Sequence, residues 1–132
     1  MEKEFVTYEQ ALALKELDFD ETCFGRYDGK GKYKGKIWYE MPNQGQYTIP
    51  VGDILAPTYP QTFRWFREKY DLRVWIESNI KSNHGILKFE YVIATTNPIF
   101  LNNVFDDKSG FKTYEEAEIA CLNKIIEIIK NK

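Results

Sequence analysis

Residues 73–80, RVWIESNI, and residues 86–94, ILKFEYVIA, both alternate apolar and polar side chains, and only the five residues KSNHG separate them. A strand turns successive side chains to opposite faces, so a period of two over this length marks a half-buried strand. Val74, Ile76 and Ile80 fall on one side of the first run, opposite Arg73, Trp75, Glu77 and Asn79. In the second, Leu87, Phe89, Tyr91 and Ile93 oppose Lys88, Glu90 and Val92. Asn83 and Gly85 tolerate positive φ, so the pair reads as an antiparallel hairpin. Its apolar face has to be covered, and the rest of the chain must supply the cover.

Helical patterns supply it. FVTYEQA at residues 5–11 is nearly repeated as FKTYEEA at residues 111–117. Thr7 and Thr113 each precede a helical pattern, with Gln10 and Glu116 three residues on. That spacing is the capping box, in which the hydroxyl accepts from the third helical N–H and the longer side chain reaches back. Glu9, Glu115 and Glu116 add negative charge in the first turns, where the helix dipole favours it. The likeness fades after the shared alanine, so it reads as two helix starts and not as a duplicated functional unit. Tyr114, Ala117, Cys121, Ile125 and Ile128 form one stripe on the last helix. A third helix is predicted from about Pro60 to Tyr70, with Thr58 as candidate cap and Tyr59, Phe63, Phe66 and Tyr70 on one face.

TCFGRYD at 22–28 and KIWYEM at 36–41 read as a second hairpin, joined by GKGKYKG. QYTIPV at 46–51 is a candidate edge strand, because Pro50 cannot donate to a ladder. NPIFLNNVFDDKSG at 97–110 reads mostly as loop, with a short strand at 103–105. The expected fold is α+β: three helices packed on antiparallel β-hairpins in the order α-β-β-(β)-α-β-β-(β)-α, as one domain over residues 1–132.

Composition narrows the chemistry. The chain has 132 residues, 43% hydrophobic and 29% charged, which suits a folded core. Cys23 and Cys121 stand far apart, which supports neither a disulfide framework nor a zinc site. The opening MEKEF lacks the pattern of a signal peptide, and no apolar run is long enough to span a membrane. A cytoplasmic location is the expectation. The net charge of −2 hides a surplus of five negative charges in residues 1–21 and four positive charges in residues 24–36. A balanced total argues against a dedicated nucleic-acid binder without excluding a local patch.

YEQALALKELDFDETCFGRYD, APTYPQTFRWFREKY and TYEEAEIACLNKIIEIIK together resemble a family of small uncharacterised proteins encoded by phages and mobile elements of gut Bacteroidetes. The resemblance covers both ends and the middle helix, but not the lysine-rich run or QYTIPV. It brings no catalytic residues. It implies an accessory protein of a mobile element working in a bacterial cytoplasm.

Motifs for catalysis are missing. GKGKYKGK has neither the spacing nor the hydroxyl of a phosphate-binding P-loop, nor the GxGxxG order. His84 is the single histidine and falls in a predicted turn, so a His/Cys metal site cannot be assembled. Asp106–Asp107 and the Asp18–Asp20–Glu21 cluster lack the ligand pattern of a calcium loop. Cys23 has no activating neighbour in the sequence. The expectation is therefore a non-enzyme without cofactor or metal. From residue 58 on, the element order resembles a double-stranded RNA-binding domain, whose last helix starts with lysines. Here that start reads TYEEAE, which repels phosphate, and the reading is set aside.

Two features remain. In KGKYKGK, an extended ribbon would set Lys30, Lys32, Lys34 and Lys36 on one side and Tyr33 on the other. Lysines track phosphates and a tyrosine stacks on a base, which makes single-stranded nucleic acid one reading. A charged turn that resists aggregation is the simpler one. Secondly, Trp65 lies off the main apolar face of its helix, while Trp38 and Trp75 fall out of phase with their apolar neighbours. If exposed, these tryptophans, with Arg64 and Arg67, are interface anchors. Ile119, Leu122, Ile126 and Ile129 spread the apolar residues of the last helix around more than half its circumference, so it is either sandwiched or half exposed. The leading expectation is a protein that binds an unidentified protein partner, a second copy of itself included, with no membrane. Weak nucleic-acid binding through the lysine run is the alternative.

Overall fold

The computed structural model describes residues 2–36, 52–79, 87–103 and 105–131. Trp38, His84, the QYTIPV segment and the remainder of KIWYEM after Lys36 lie outside these residues. The element order is α-β-β-β-α-β-β-β-α, with two three-stranded antiparallel sheets, an α+β fold as expected. The chain gathers into two compact units, Met1–Tyr59 and Pro60–Lys132.

The first unit opens with helix α1 (Tyr8–Glu16), and its capping box is complete. Gln10 N–H donates to Thr7 Oγ1 at 3.2 Å and Thr7 N–H donates to Gln10 Oε1 at 3.1 Å. Strands β1 (Gly25–Tyr27), β2 (Tyr33–Lys36) and β3 (Ile54–Ala56) form a sheet in the order β2-β1-β3. α1 packs against β3. Val6 N–H donates to Pro57 C=O at 3.0 Å, and Phe5 bridges to Thr58. The buried Tyr27 hydroxyl donates to Val6 C=O at 2.6 Å. Gly25 lies so close beneath the Phe5 ring that a Cβ there would sit 2.5 Å from a ring carbon and 2.6 Å from Ala56 C=O.

The lysine run differs from expectation. The turn occupies Asp28–Lys32, and β2 begins at Tyr33, inside what reads as the connecting loop. Asp28 Oδ1 accepts from Lys30 and Lys32 N–H, both at 2.9 Å, and Gly31 takes φ +89. An aspartate that binds the backbone of its own turn fixes a tight loop, which hydrophobic patterning does not register. β3 also went unread, because three residues carry too little pattern to mark a strand.

The second unit holds α2 (Tyr59–Tyr70, its first residue shared with the boundary), β4 (Arg73–Asn79), β5 (Lys88–Ala94), β6 (Phe105–Phe111) and α3 (Tyr114–Lys130). β4 and β5 form the expected hairpin over Arg73↔Ala94 to Asn79↔Lys88. β6 adds to β5: the stretch that reads mostly as loop with a short strand at 103–105 holds a kinked 3-10 helix, Pro98–Asn103, and a full strand over Phe105–Phe111. Charged and small residues on an edge strand hide the strand signal. α3 packs chiefly on β5, where Tyr114 meets Phe89 edge to face at 6.1 Å. Asp71, at φ 58, ends α2; its carboxylate accepts from Thr96 Oγ1 at 2.6 Å and Thr96 N–H at 3.1 Å, and Arg73 lies 3.0 Å away.

Candidate interaction site

Alternation fixes the two faces of the second sheet. Phe89, Tyr91 and Ile93 share a face, with Val74 and Ile76 opposite them in register, and the Phe89–Tyr114 contact identifies it as the α3 side. Arg73, Trp75 and Glu77 therefore point the other way, in register with Ala94, Val92 and Glu90. Trp75 is 46% exposed, while Val92 opposite it is buried. Arg73 and Glu77 are exposed on either side. Glu77 and Glu90 stand directly opposite one another in register. An exposed tryptophan next to two carboxylates is the clearest binding feature of this face.

Trp65 does not join it. Trp65 is only 6% exposed, so its reading as an exposed anchor is corrected. Its ring meets Phe66 at 5.0 Å and Tyr70 at 5.8 Å, and the Lys69 ammonium sits 4.8 Å above it. Tyr59, Thr62, Trp65 and Phe66 are buried on α2 while Phe63 and Tyr70 are half-buried, so the covered face is turned toward Trp65 from the stripe the sequence suggests. Arg64 and Arg67 are exposed on that helix, away from β4 in sequence. Trp38 lies outside the described residues. On α3, Leu122, Ile126 and Ile129 are buried and Ile119 is 36% exposed, so the wide apolar arc offers little partner surface.

The lysine run is not a ribbon with ammonium groups on one side. Lys30 and Lys32 are exposed turn residues. Lys34 begins no separate patch, since its ammonium lies 3.8 Å from Asp28. Backbone donation from Lys32, then Lys30, with the nearby ammonium groups, holds the Asp28 carboxyl below the usual range. The Tyr33 ring packs against Phe5 at 5.4 Å and Tyr27 at 5.6 Å, which engages the surface a base would stack on. Lys36 ends β2.

Among the described residues, titratable groups elsewhere give no reactive constellation. Burial pushes the Cys23 thiol up to about 12, and Cys121 is buried as well. Glu118 is half-buried on the apolar arc of α3; burial and, second, Glu115 raise its carboxyl to about 7. Burial, Glu118 and Glu115 raise the neighbouring Tyr114 phenol. Sequence reasoning missed Glu118, although its place between Tyr114 and Leu122 at helical spacing was there to read. Among the described residues, no three His, Cys, Asp or Glu side chains gather to hold a metal, and no helix is long and apolar enough to cross a membrane.

The start of α3 is acidic in space as in sequence. Thr113 Oγ1 accepts from Glu116 N–H at 3.1 Å, and the Glu116 carboxylate accepts from Lys112 N–H at 3.1 Å. Its first turn thus presents carboxylates where an RNA-binding domain presents lysines. No family model matches the chain, and neither a curated protein nor a solved structure does.

Proposed function

We propose that this chain works without catalysis, as an accessory protein of a phage or mobile element in a bacterial cytoplasm, by binding another protein through the Trp75 face of its second sheet. The carrying observation is the 46% exposure of Trp75 in the middle of β4. Tryptophan and arginine dominate interface hot spots, and Arg73 stands two residues away on the same face.

Binding of single-stranded nucleic acid at Lys30, Lys32, Lys34 and Lys36 is the less supported reading, because Tyr33 is engaged with Phe5 and Tyr27. Comparing the unaltered chain with Trp75→Ala and with the four-lysine-to-glutamine variant separates the two. A partner protein captured from host lysate, or self-association in sedimentation, should be lost in Trp75→Ala and kept in the lysine variant. Salt-sensitive oligonucleotide binding lost only in the lysine variant would replace this reading with the nucleic-acid one.

A further inference from the structure

The first unit carries a pocket of about 250 Å³ between the last turn of α1 and β3. Leu14, Phe19, Ile54 and Leu55 supply apolar walls, and Lys15 and Asp53 are the charged members of its lining. The pocket follows from how α1 ends. Phe19 N–H donates to Leu14 C=O at 3.0 Å and Asp18 N–H to Lys15 C=O at 3.1 Å, the two bonds of a Schellman motif. That motif folds the chain back, and Phe19 closes on Leu14 as the second wall. Its left-handed position usually belongs to glycine, yet Asp18 holds it at φ 64.

Electrostatics select the occupant. Asp53 is already matched by an ion pair with Arg26. Lys15 sits in the last turn of α1, where its charge complements the helix dipole. The surroundings are acidic: exposed Asp18 and Asp20 flank the lining residue Phe19 in sequence, within the negative surplus of residues 1–21. The volume falls below the roughly 300 Å³ at which small-molecule sites begin, and it suits one large apolar side chain.

We propose that this pocket receives a single large apolar side chain of a partner peptide whose neighbouring residues are lysine or arginine. The pocket does not depend on the Trp75 face, and Trp75→Ala leaves its binding unchanged.

The test is an amide chemical-shift titration of the full chain with acetyl-Lys-Lys-Phe-Lys-Lys-amide. The same peptide with alanine for phenylalanine, and with glutamates for the lysines, serve as controls. The phenylalanine–lysine peptide should shift the amides of Leu14, Phe19, Ile54 and Leu55, and bind more weakly as salt rises from about 20 to about 200 mM. Both controls should bind at least about tenfold more weakly, a difference of roughly 1.4 kcal/mol. Leu55→Trp, which fills the pocket from a half-buried position, should abolish the shifts. Asp18→Asn with Asp20→Asn, both on the surface, should weaken binding without unfolding the chain. Equal binding of the lysine and glutamate peptides, shifts confined to other residues, or undiminished binding by a folded Leu55→Trp would each overturn the proposal.

Discussion

The hydroxyl of Tyr59 donates a 2.8 Å hydrogen bond to Oε1 of Gln10, and both side chains are buried. The same oxygen accepts from Thr7 N–H, so the cap of α1 and the first residue of α2 share one acceptor. Tyr59→Phe should cost about 1 kcal/mol, the net worth of one hydrogen bond. Gln10→Ala should cost about 2–3 kcal/mol, because it also strips the reciprocal half of the capping box and strands a buried hydroxyl. Urea unfolding of both variants checks the order, and equal losses would contradict the shared acceptor.

Glu118 makes stability depend on pH in an unusual direction. Its carboxyl rises from an ordinary 4.5 to about 7 in the folded chain. Between those values the folded state keeps a proton that the unfolded state has released, so stability falls as pH rises through the window. Glu118→Gln should flatten that slope, and its stability advantage over the unaltered chain should grow from pH 4.5 to pH 7. Asp28 and Asp71 do not interfere, because their carboxyls are held below 3.8 and act in more acid solution. Thermal unfolding across pH 4–8 decides the matter; a constant gap between the two proteins would rule out the Glu118 contribution.

Cys23 should resist alkylation in the folded chain. Its thiol is buried and pushed up to about 12, which leaves almost no thiolate at pH 8. Native iodoacetamide labelling should run slower than labelling in urea by on the order of a hundredfold or more. Rapid native labelling of Cys23, located by mass spectrometry, would contradict its burial.

Gly25→Ala tests the tightest approach in the first unit. The added methyl would meet a Phe5 ring carbon and the Ala56 carbonyl, and a backbone oxygen cannot rotate aside. We expect a loss of about 2–3 kcal/mol in urea unfolding. A neutral substitution would mean that Phe5 does not lie over β1.

Much of this fold was written locally. Thr7 and Gln10 form the reciprocal box that their spacing predicts, because a cap is made by residues within one turn. Thr113 and Glu116 form half of it: the carboxylate takes Lys112 N–H instead of Thr113 N–H, a choice of rotamer that spacing does not dictate. The β4–β5 hairpin and the orientation of Trp75 away from the apolar residues of β4 followed from period-two alternation alone.

Other features depended on partners distant in the chain. β3 is a strand because Ile54, Leu55 and Ala56 pair with Tyr27, Arg26 and Gly25, and three residues have no period of their own. Tyr33 offered itself as a stacking platform until Phe5, 28 positions earlier, took its face. The same holds for Trp65, which is buried because the covered face of α2 is turned away from the stripe its sequence suggests. Periodicity reports which side chains share a face, since backbone geometry repeats along the chain. Which faces are covered is decided by long-range packing, and that is why the exposed tryptophan is Trp75 rather than Trp65.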